Sequence, residues 1–509
     1  MSAVKHSAAR GVPSHRGMIT LTVMVASILQ SLDNTIANVA LPRMQGSLSA
    51  TQDQMTWVLT SYIVAAAIMT PLTGWLADRF GRKPLFLVSI IGFTLASALC
   101  GLAQSLDQIV LFRVLQGLCG AALVPMSQAV LFDVYPPEQH GRAMALWGVG
   151  VVLAPTLGPL IGGWLTDNYS WRWVFYINVP FGILAVLGVL TYFPDTTHAR
   201  KSFDFFGFAV LSIAVGALQV FLDRGPIKDW FSSSEIQLEA AIAALALYLF
   251  VVHTLTTPRP FIRFALYKDR NFLSGNVLIF VIGVVLFAVL ALLPPLLQGL
   301  MGYSVFQSGL ATAPRGVGTL IAMLLVGRIV GRIDVRLIIG TGLMLAALSL
   351  WQMSHFSMLM DMSPVVWTGV IQGLGIGIAY VPMAALTFAT LPAVMRNEGT
   401  ALFNLIRNLG SSVGISTVQG LLVRNTQVVH ASLSQHVTPW SFATHAHGPY
   451  AGAQAVAALN REVTAQASMI AYLDDFHFML ILTLVAMLTL LMVRKSGAGG
   501  AGAPHVMVE

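Results

Sequence analysis

Charged residues are scarce in this sequence. Asp, Glu, Lys and Arg together make up 10% of its 509 residues, against about 25% in an ordinary soluble chain. A water-soluble fold of this length cannot cover its surface with so few, so lipid must be the solvent for most of it. Cysteine is rarer still. Cys100 and Cys119 are the only two, both lie inside apolar runs, and no C-x-x-C occurs, which argues against a disulfide framework or a metal site. H-E-x-x-H and G-x-x-x-x-G-K-[ST] are also missing, and the one G-x-S-x-G, Gly410 to Gly414, falls inside an apolar span rather than at a strand-to-helix turn. With no metalloprotease pair and no phosphate-cradling loop, the chain does not read as an enzyme or as a machine that hydrolyses ATP within itself.

What the sequence has in quantity is apolar length: 56% of its residues are hydrophobic. A bilayer-spanning helix needs roughly 20 mostly apolar residues. Spans are expected near 18–41, 55–75, 85–103, 108–131, 143–166, 173–193, 204–222, 234–254, 272–296, 307–327, 337–356, 364–389, 401–423 and 474–493, numbered here as helices 1 to 14. The first run is too long for a signal-peptide core and lacks a cleavage pattern, so it reads as a retained helix. An even number of spans puts both termini on one side, and Lys and Arg decide which. Nineteen of them fall in segments on the side of the termini and six on the other, namely Arg43, Arg172, Arg224, Lys228, Arg424 and Arg461. The termini are therefore expected in the cytoplasm. The formal charge of +7 is a topology signal, and nucleic acid is not an expected partner.

The chain also repeats itself. The segment from Val114, V-L-Q-G-L-C-G-A-A-L-V-P-M, recurs from Val370 as V-I-Q-G-L-G-I-G-I-A-Y-V-P-M, with Gln116 and Gln372 offset by 256 residues. Ala145-Leu146-Trp147 is echoed by Ala401-Leu402-Phe403, and Leu41-Pro42 by Leu293-Pro294 at an offset of 252. These echoes map helices 1, 4 and 5 onto 9, 12 and 13. The expected organisation is a terminal tail at 1–17, a six-helix half at 18–193, a two-helix insert at 204–254, a second six-helix half at 272–493 with a long external loop at 424–473, and a glycine-rich, disordered tail at 494–509.

Four stretches carry a family resemblance. Leu32 to Pro42 (L-D-N-T-I-A-N-V-A-L-P) resembles the helix 1 signature of fourteen-helix drug:proton antiporters. Gly74-Trp75-Leu76-Ala77-Asp78-Arg79-Phe80-Gly81-Arg82-Lys83-Pro84 is similar to the major facilitator loop motif between helices 2 and 3. Arg113-Val114-Leu115-Gln116-Gly117 resembles the helix 4 motif, and Gly150 to Gly163, with Ala154-Pro155 and Gly158-Pro159, the helix 5 antiporter motif. The resemblance implies an all-α integral membrane protein of the major facilitator fold, driven by a proton gradient with no other cofactor, that exports hydrophobic drugs, uncouplers or related amphiphiles by alternating access. Leu222-Asp223-Arg224-Gly225, Asp229 to Ser233 and the glycine-rich tail resemble the EmrB-type pumps of the Gram-negative inner membrane. That resemblance implies a periplasmic adaptor and, through it, an outer-membrane channel as partners. A stand-alone exporter of fatty acids or siderophores, and a nutrient importer of the same fold, are the alternatives.

The residues themselves allow specific roles. Asp33 lies deep in an apolar helix, where an ionisable group is costly and normally faces a cavity or a partner. It is either the coupling carboxylate or a hydrogen-bonding brace, and Arg113, the charge within helix 4, either tunes it or braces helices. Ser27, Gln30, Asn34 and Asn38 form one polar stripe on helix 1, and Asn404, Arg407, Asn408 and Ser411 another on helix 13. With Gln116, these stripes either line a substrate cavity or join helices through hydrogen bonds. Arg315 either meets anionic cargo or forms a salt bridge or snorkels. Gly74, Asp78, Arg79, Gly81 and Arg82, with Arg142 near the neighbouring helix end, form either a conformational latch or a basic topology loop. Gly150, Pro155, Gly158, Pro159, Gly162 and Gly163 either make a close contact between halves or simply pack helix 5 well. The 424–473 loop is either an adaptor site or a passive lid, with Ala451–Ala471 a possible surface helix; its histidines are not expected to hold a metal.

Overall fold

A computed structural model describes residues 15–50, 52–136, 139–193, 203–258, 260–329, 333–392, 395–436 and 453–493. The two tails expected at 1–17 and 494–509 fall almost wholly outside these residues, as does 437–452. Each expected span falls on helical residues, and among the described residues twelve helices are long and apolar enough to cross a membrane. The two expected spans not among the twelve, helices 5 and 13, are the continuous helices His140–Asn168 and Arg396–Ser434. The chain is a multi-pass membrane protein.

Helix 1 is Arg16–Leu48, helix 2 Gln52–Phe80 and helix 3 Arg82–Leu102. Helix 4 runs over Leu106–Val134 and is broken at Ala121–Ala122. The break is dictated by Pro125, whose ring clashes with the carbonyl four residues back and which has no N–H to give. Helix 6 spans Trp173–Tyr192, helix 7 Phe205–Arg224 and helix 8 Ser234–Thr256. In the second half, helix 9 (Arg270–Leu300) ends in a widened turn at Leu296–Leu300 just after Pro294-Pro295. Helix 10 is interrupted before Pro314. Helix 11 is Val335–Met353, helix 12 Ser363–Ala389 and helix 14 Ala453–Met487.

Glycine sets how close these helices come. Lipid tails are as apolar as leucine side chains, so helices associate by packing rather than by escape from water. A Cβ on Gly162 would stand 2.7 Å from Ile36 of helix 1, and one on Gly150 would stand 3.0 Å from Ile28; Gly158 meets Thr35 of the same helix more tightly still. The helix 5 motif therefore packs within the first half, which corrects the expectation that these glycines make the contact between halves. They project toward helix 1, while Ala145 and Gly148 on another face of helix 5 meet Gly327 and Met323 of helix 10. Pro155 and Gly163 are half-buried, and the side chain of Pro159 lies outside the described residues. The second half repeats the arrangement, since a Cβ on Gly414 of helix 13 would stand 2.7 Å from Val284 of helix 9. The insert helices pack on each other, and helix 7 also touches helices 2 and 13.

The external segment differs from its expectation. Residues 424–434 continue helix 13, and 453–473 are the first half of helix 14 rather than a separate surface helix. Neither stretch contains proline or glycine, so nothing ends the helix at the membrane boundary. The two extensions form a pair joined by His430 Nε2 and Asn460 Oδ1 at 3.0 Å.

Close approach at glycine predicts a contrast in stability. A methyl on Gly117 would stand 2.5 Å from the Tyr62 carbonyl oxygen and 2.9 Å from Ala65 Cβ, so Gly117→Ala should cost about 1–3 kcal/mol. Gly46 meets nothing within 4 Å, and Gly46→Ala should leave stability unchanged or raise it, by up to about 1 kcal/mol. Thermal unfolding in detergent compares the two; equal effects would contradict the packing described.

Candidate functional site

The site begins with a cost. An ion inside hydrocarbon loses its hydration shell, and only a partner of opposite charge with further hydrogen bonds offsets that loss. Asp33, near the middle of helix 1, is fully buried, and so is Arg113 of helix 4. Arg113 Nη1 donates to Asp33 Oδ2 at 2.5 Å. Asp33 Oδ1 accepts from Gln116 Nε2 at 2.9 Å and from Asn178 Nδ2 at 3.0 Å. The guanidinium is equally well held: its Nε donates to the Val58 carbonyl at 2.9 Å, Nη1 also reaches Gln116 Oε1 at 2.8 Å, and the Tyr62 ring lies 4.2 Å from its carbon centre. Asn178 in turn donates to Ser97 Oγ at 2.9 Å. Helices 1, 2, 3, 4 and 6 thus meet at one carboxylate.

This network lies inside the first half, away from solvent in this conformation. It places Gln116, expected at a cavity wall, in the shell of the ion pair. Spacing on one helix pairs Arg113 with Gln116, but Asn178, Tyr62 and Ser97 are contributed by folding alone. Asn178 carried one signal that was passed over: a carboxamide standing alone in the otherwise apolar helix 6.

The polar stripes divide. Ser27 accepts from Trp147 Nε1 at 2.8 Å and Gln30 Oε1 accepts from the Val124 amide at 3.3 Å, so both join helices within the half. Asn38 is exposed, and the Asn34 side chain lies outside the described residues. On helix 13, Asn404 is buried and donates to Gln128 Oε1 of helix 4 at 2.7 Å, a bond between the halves. Arg407 and Asn408 are half-buried. Arg315 is buried and its Nη2 donates to the Leu286 carbonyl at 3.3 Å. It neither snorkels nor pairs with an acid among the described residues, which corrects both of the structural roles it was given above.

The loop after helix 2 joins the halves on the face that carries the chain ends. Gly81 has φ 89°, the left-handed turn that glycine allows. Gly74 instead permits close approach, its Cα facing the Asn397 carbonyl, where a Cβ would stand 3.1 Å away. Asn397 Nδ2 of helix 13 donates to Asp78 Oδ1 at 2.5 Å. Arg82 pairs with Asp133 at the end of helix 4, and Arg396 of helix 13 approaches the same carboxylate at 3.8 Å. The Phe132 and Phe388 rings touch across the halves beside them. Arg79 and Arg142 are exposed. Asn397, Asp133 and Arg396 were not singled out from the sequence, because their partners lie hundreds of residues away.

Nearby, Asp204 caps helix 7. Burial raises its proton affinity, yet donation from the Gly207 and Phe261 amides and from His253 prevails and holds the carboxyl below its ordinary range. One further acid, missed in the sequence, is Asp475 of helix 14. It is fully buried and neither carboxyl oxygen has a hydrogen-bond partner among the described residues. An ionisable residue inside the apolar run that begins at 474 was the available signal.

The ion pair makes a testable energetic claim. Asp33→Leu or Arg113→Leu alone leaves a buried charge uncompensated and should cost about 3–5 kcal/mol, while the double variant should recover a large part of that loss. A double-mutant cycle on unfolding in detergent measures the coupling; additive effects would remove the pair from this account.

Comparisons with known proteins agree with the geometry. Residues 23–415 match the family model described as the Major Facilitator Superfamily. "Multidrug export protein EmrB" of Escherichia coli K12 is 38% identical over 427 residues, covering 83% of each chain. "Fatty acid resistance protein FarB" of Neisseria gonorrhoeae is 36% identical over 95% of this chain and 97% of that one. Among solved structures, the human organic anion transporter MFSD10 superposes with a TM-score of 0.60 at 15% identity, over 92% of this chain and 99% of that one. The proton:xylose symporter XylE does so with a TM-score of 0.59 at 13% identity, over 96% and 98%.

Proposed function

The chain belongs to the Major Facilitator Superfamily, and from that premise we propose that it is a proton-driven antiporter exporting hydrophobic drugs and related amphiphiles from the cytoplasm or inner leaflet. The observation that carries this reading is the carboxylate of Asp33, held by a guanidinium in the middle of a membrane helix. Similarity to a multidrug exporter over most of the chain supplies the direction and the cargo class.

The physical argument concerns a change of surroundings. With Arg113, Gln116 and Asn178 in place, Asp33 is fully paired. A conformation that draws helix 1 away from helices 4 and 6 weakens those bonds and favours the protonated acid. If that conformation opens to the other aqueous compartment, each cycle moves a proton, and cargo movement is tied to it as the halves rock. The excess of Lys and Arg on the face bearing the termini supports placing that face in the cytoplasm. The contacts of Asp78 and Asp133 with helix 13 then hold the cytoplasmic side closed, as a latch.

On the opposite face the extended helices 13 and 14 supply a rigid projection into the periplasm. It suits a soluble adaptor better than a flexible loop does, which supports a tripartite arrangement of inner-membrane pump, adaptor and outer-membrane channel. A second reading, a fatty-acid exporter, is favoured by the similarity to the fatty acid resistance protein, which spans nearly the whole of both chains.

Purified protein in proteoliposomes should move a hydrophobic dye in response to an imposed pH gradient and stop when the gradient is collapsed. Asp33→Asn should reduce coupled transport to the level of empty liposomes with the inserted protein unchanged; undiminished coupling would refute the role given to Asp33. The latch has its own test. Asn397→Asp sets a second negative charge against Asp78, a repulsion of about 1–4 kcal/mol near a protein surface. A cysteine replacing the buried Ala401 should then react faster with a membrane-impermeant maleimide from the cytoplasmic side. An unchanged labelling rate would leave the loop as a topology signal only.

A further inference from the structure

The internal repeat makes the ion-pair site of the first half a template for the second. At the 256-residue offset, Gln116 corresponds to Gln372, Gly117 to Gly373 and Arg113 to Gly369; at the helix 1 offset of 252, Asp33 corresponds to Val285. The structure extends the correspondence. Gly117 packs on the Tyr62 carbonyl, and Gly373 packs on the Arg315 carbonyl, so Arg315 of helix 10 stands where Tyr62 stands in helix 2. Gly369, in the place of Arg113, has no side chain and faces Arg315 Cβ, 3.6 Å from where its own Cβ would be. The second half thus keeps a guanidinium but brings it from the neighbouring helix, and it has lost the carboxylate.

The unmet bonding follows from that loss. Arg315 is 5% exposed, its Nη2 donates to the Leu286 carbonyl, and its Nη1 has no hydrogen-bond partner among the described residues. Gln372 is fully buried with both side-chain polar atoms unpartnered, whereas its counterpart Gln116 is saturated by Arg113 and Asp33. Native interiors seldom leave such groups unmet without a reason, and a buried cation with no counter-ion is the costly case. A narrow apolar cleft of about 10 Å³, lined by Val285, Leu343, Gly375 and Ile376, lies between helices 9, 11 and 12.

We propose that this place is a binding site for the head of an anionic amphiphile, whose carboxylate fills the position that Asp33 fills in the first half. Arg315 and Gln372 donate to the head. The inference rests on the exporter reading and deepens it by naming the end of the cargo that is recognised and the half that recognises it. The first half holds a carboxylate beside its guanidinium and serves the proton; the second has none paired with Arg315 among the described residues and serves the cargo.

The test compares radiolabelled decanoate with decanol, two ten-carbon chains differing in the head, at neutral pH on protein in phosphatidylcholine nanodiscs free of anionic lipid. The wild type should bind decanoate roughly tenfold or more tightly than decanol, the factor expected of a charge-assisted pair. Arg315→Gln should erase that preference and leave decanol binding within about a factor of two. Val285→Asp, which restores a carboxylate to the chain itself, should also abolish decanoate preference. If Arg315→Gln fails to fold, Arg315→Lys and Gln372→Leu read the same ratio and should each reduce it. A preference that survives these substitutions, or a wild type that binds both chains equally, overturns the site. Export of a neutral dye, measured in parallel, separates this from failure of the exporter reading: dye transport that persists while preference is absent sinks only the anion site.

Discussion

Asp33 and Arg113 hold the first half together by a requirement rather than by a surplus of energy. Neither ion can remain in hydrocarbon alone, and each takes up the bonding capacity of residues on several helices. Packing alone lets helices slide, because one apolar face resembles another in lipid. A carboxylate that must meet a guanidinium and two carboxamides at once fixes the register of helices 1, 4 and 6 together. The same demand makes the site sensitive: a rearrangement that breaks one bond leaves a charge exposed to a medium that cannot solvate it.

Against that anchored half, the second half is bound by close backbone contact. Gly373, Gly375 and Gly377 of helix 12 let helices 10 and 11 approach it, and Gly410 and Gly414 of helix 13 do so for helix 9. The polar groups within it, Arg315, Gln372 and Asp475, are left with unused bonding capacity. Duplication gave two similar scaffolds, and substitution at a few positions gave them opposite electrostatic character: a closed ion pair in one and an open cation in the other.

Much of the fold was legible because the bilayer imposes a simple rule on apolar length. The spans and the internal echoes follow from composition and order, whereas the breaks before Pro125 and Pro314 fall inside stretches expected as single spans. The partnership of Asp33 with Arg113 could be anticipated because ions in apolar helices need one another. The rest depended on distance in sequence. Asn178 and Tyr62 reach the pair only when helices 2 and 6 close around it, and Asn397 meets Asp78 across 319 residues. The two readings of the helix 5 glycines could not be separated, because spacing gives the face of a helix but not what lies against it. The extension of helices 13 and 14 was hidden by span length, since hydropathy marks where lipid ends and not where a helix does.

Helix 13 joins three places that are otherwise remote. Its first turn meets Asp78 and Asp133, its middle touches Gln128 and carries Arg407, and its last turns stand outside the membrane beside helix 14. At 39 residues it is about 58 Å of unbroken rod. Any change of tilt set at the Asp78 end is therefore carried, mechanically and without a hinge, to the tip at the other end, where the displacement is greatest. A body resting on that tip would sense the contacts at Asp78 and Asp133 as movement of a lever arm.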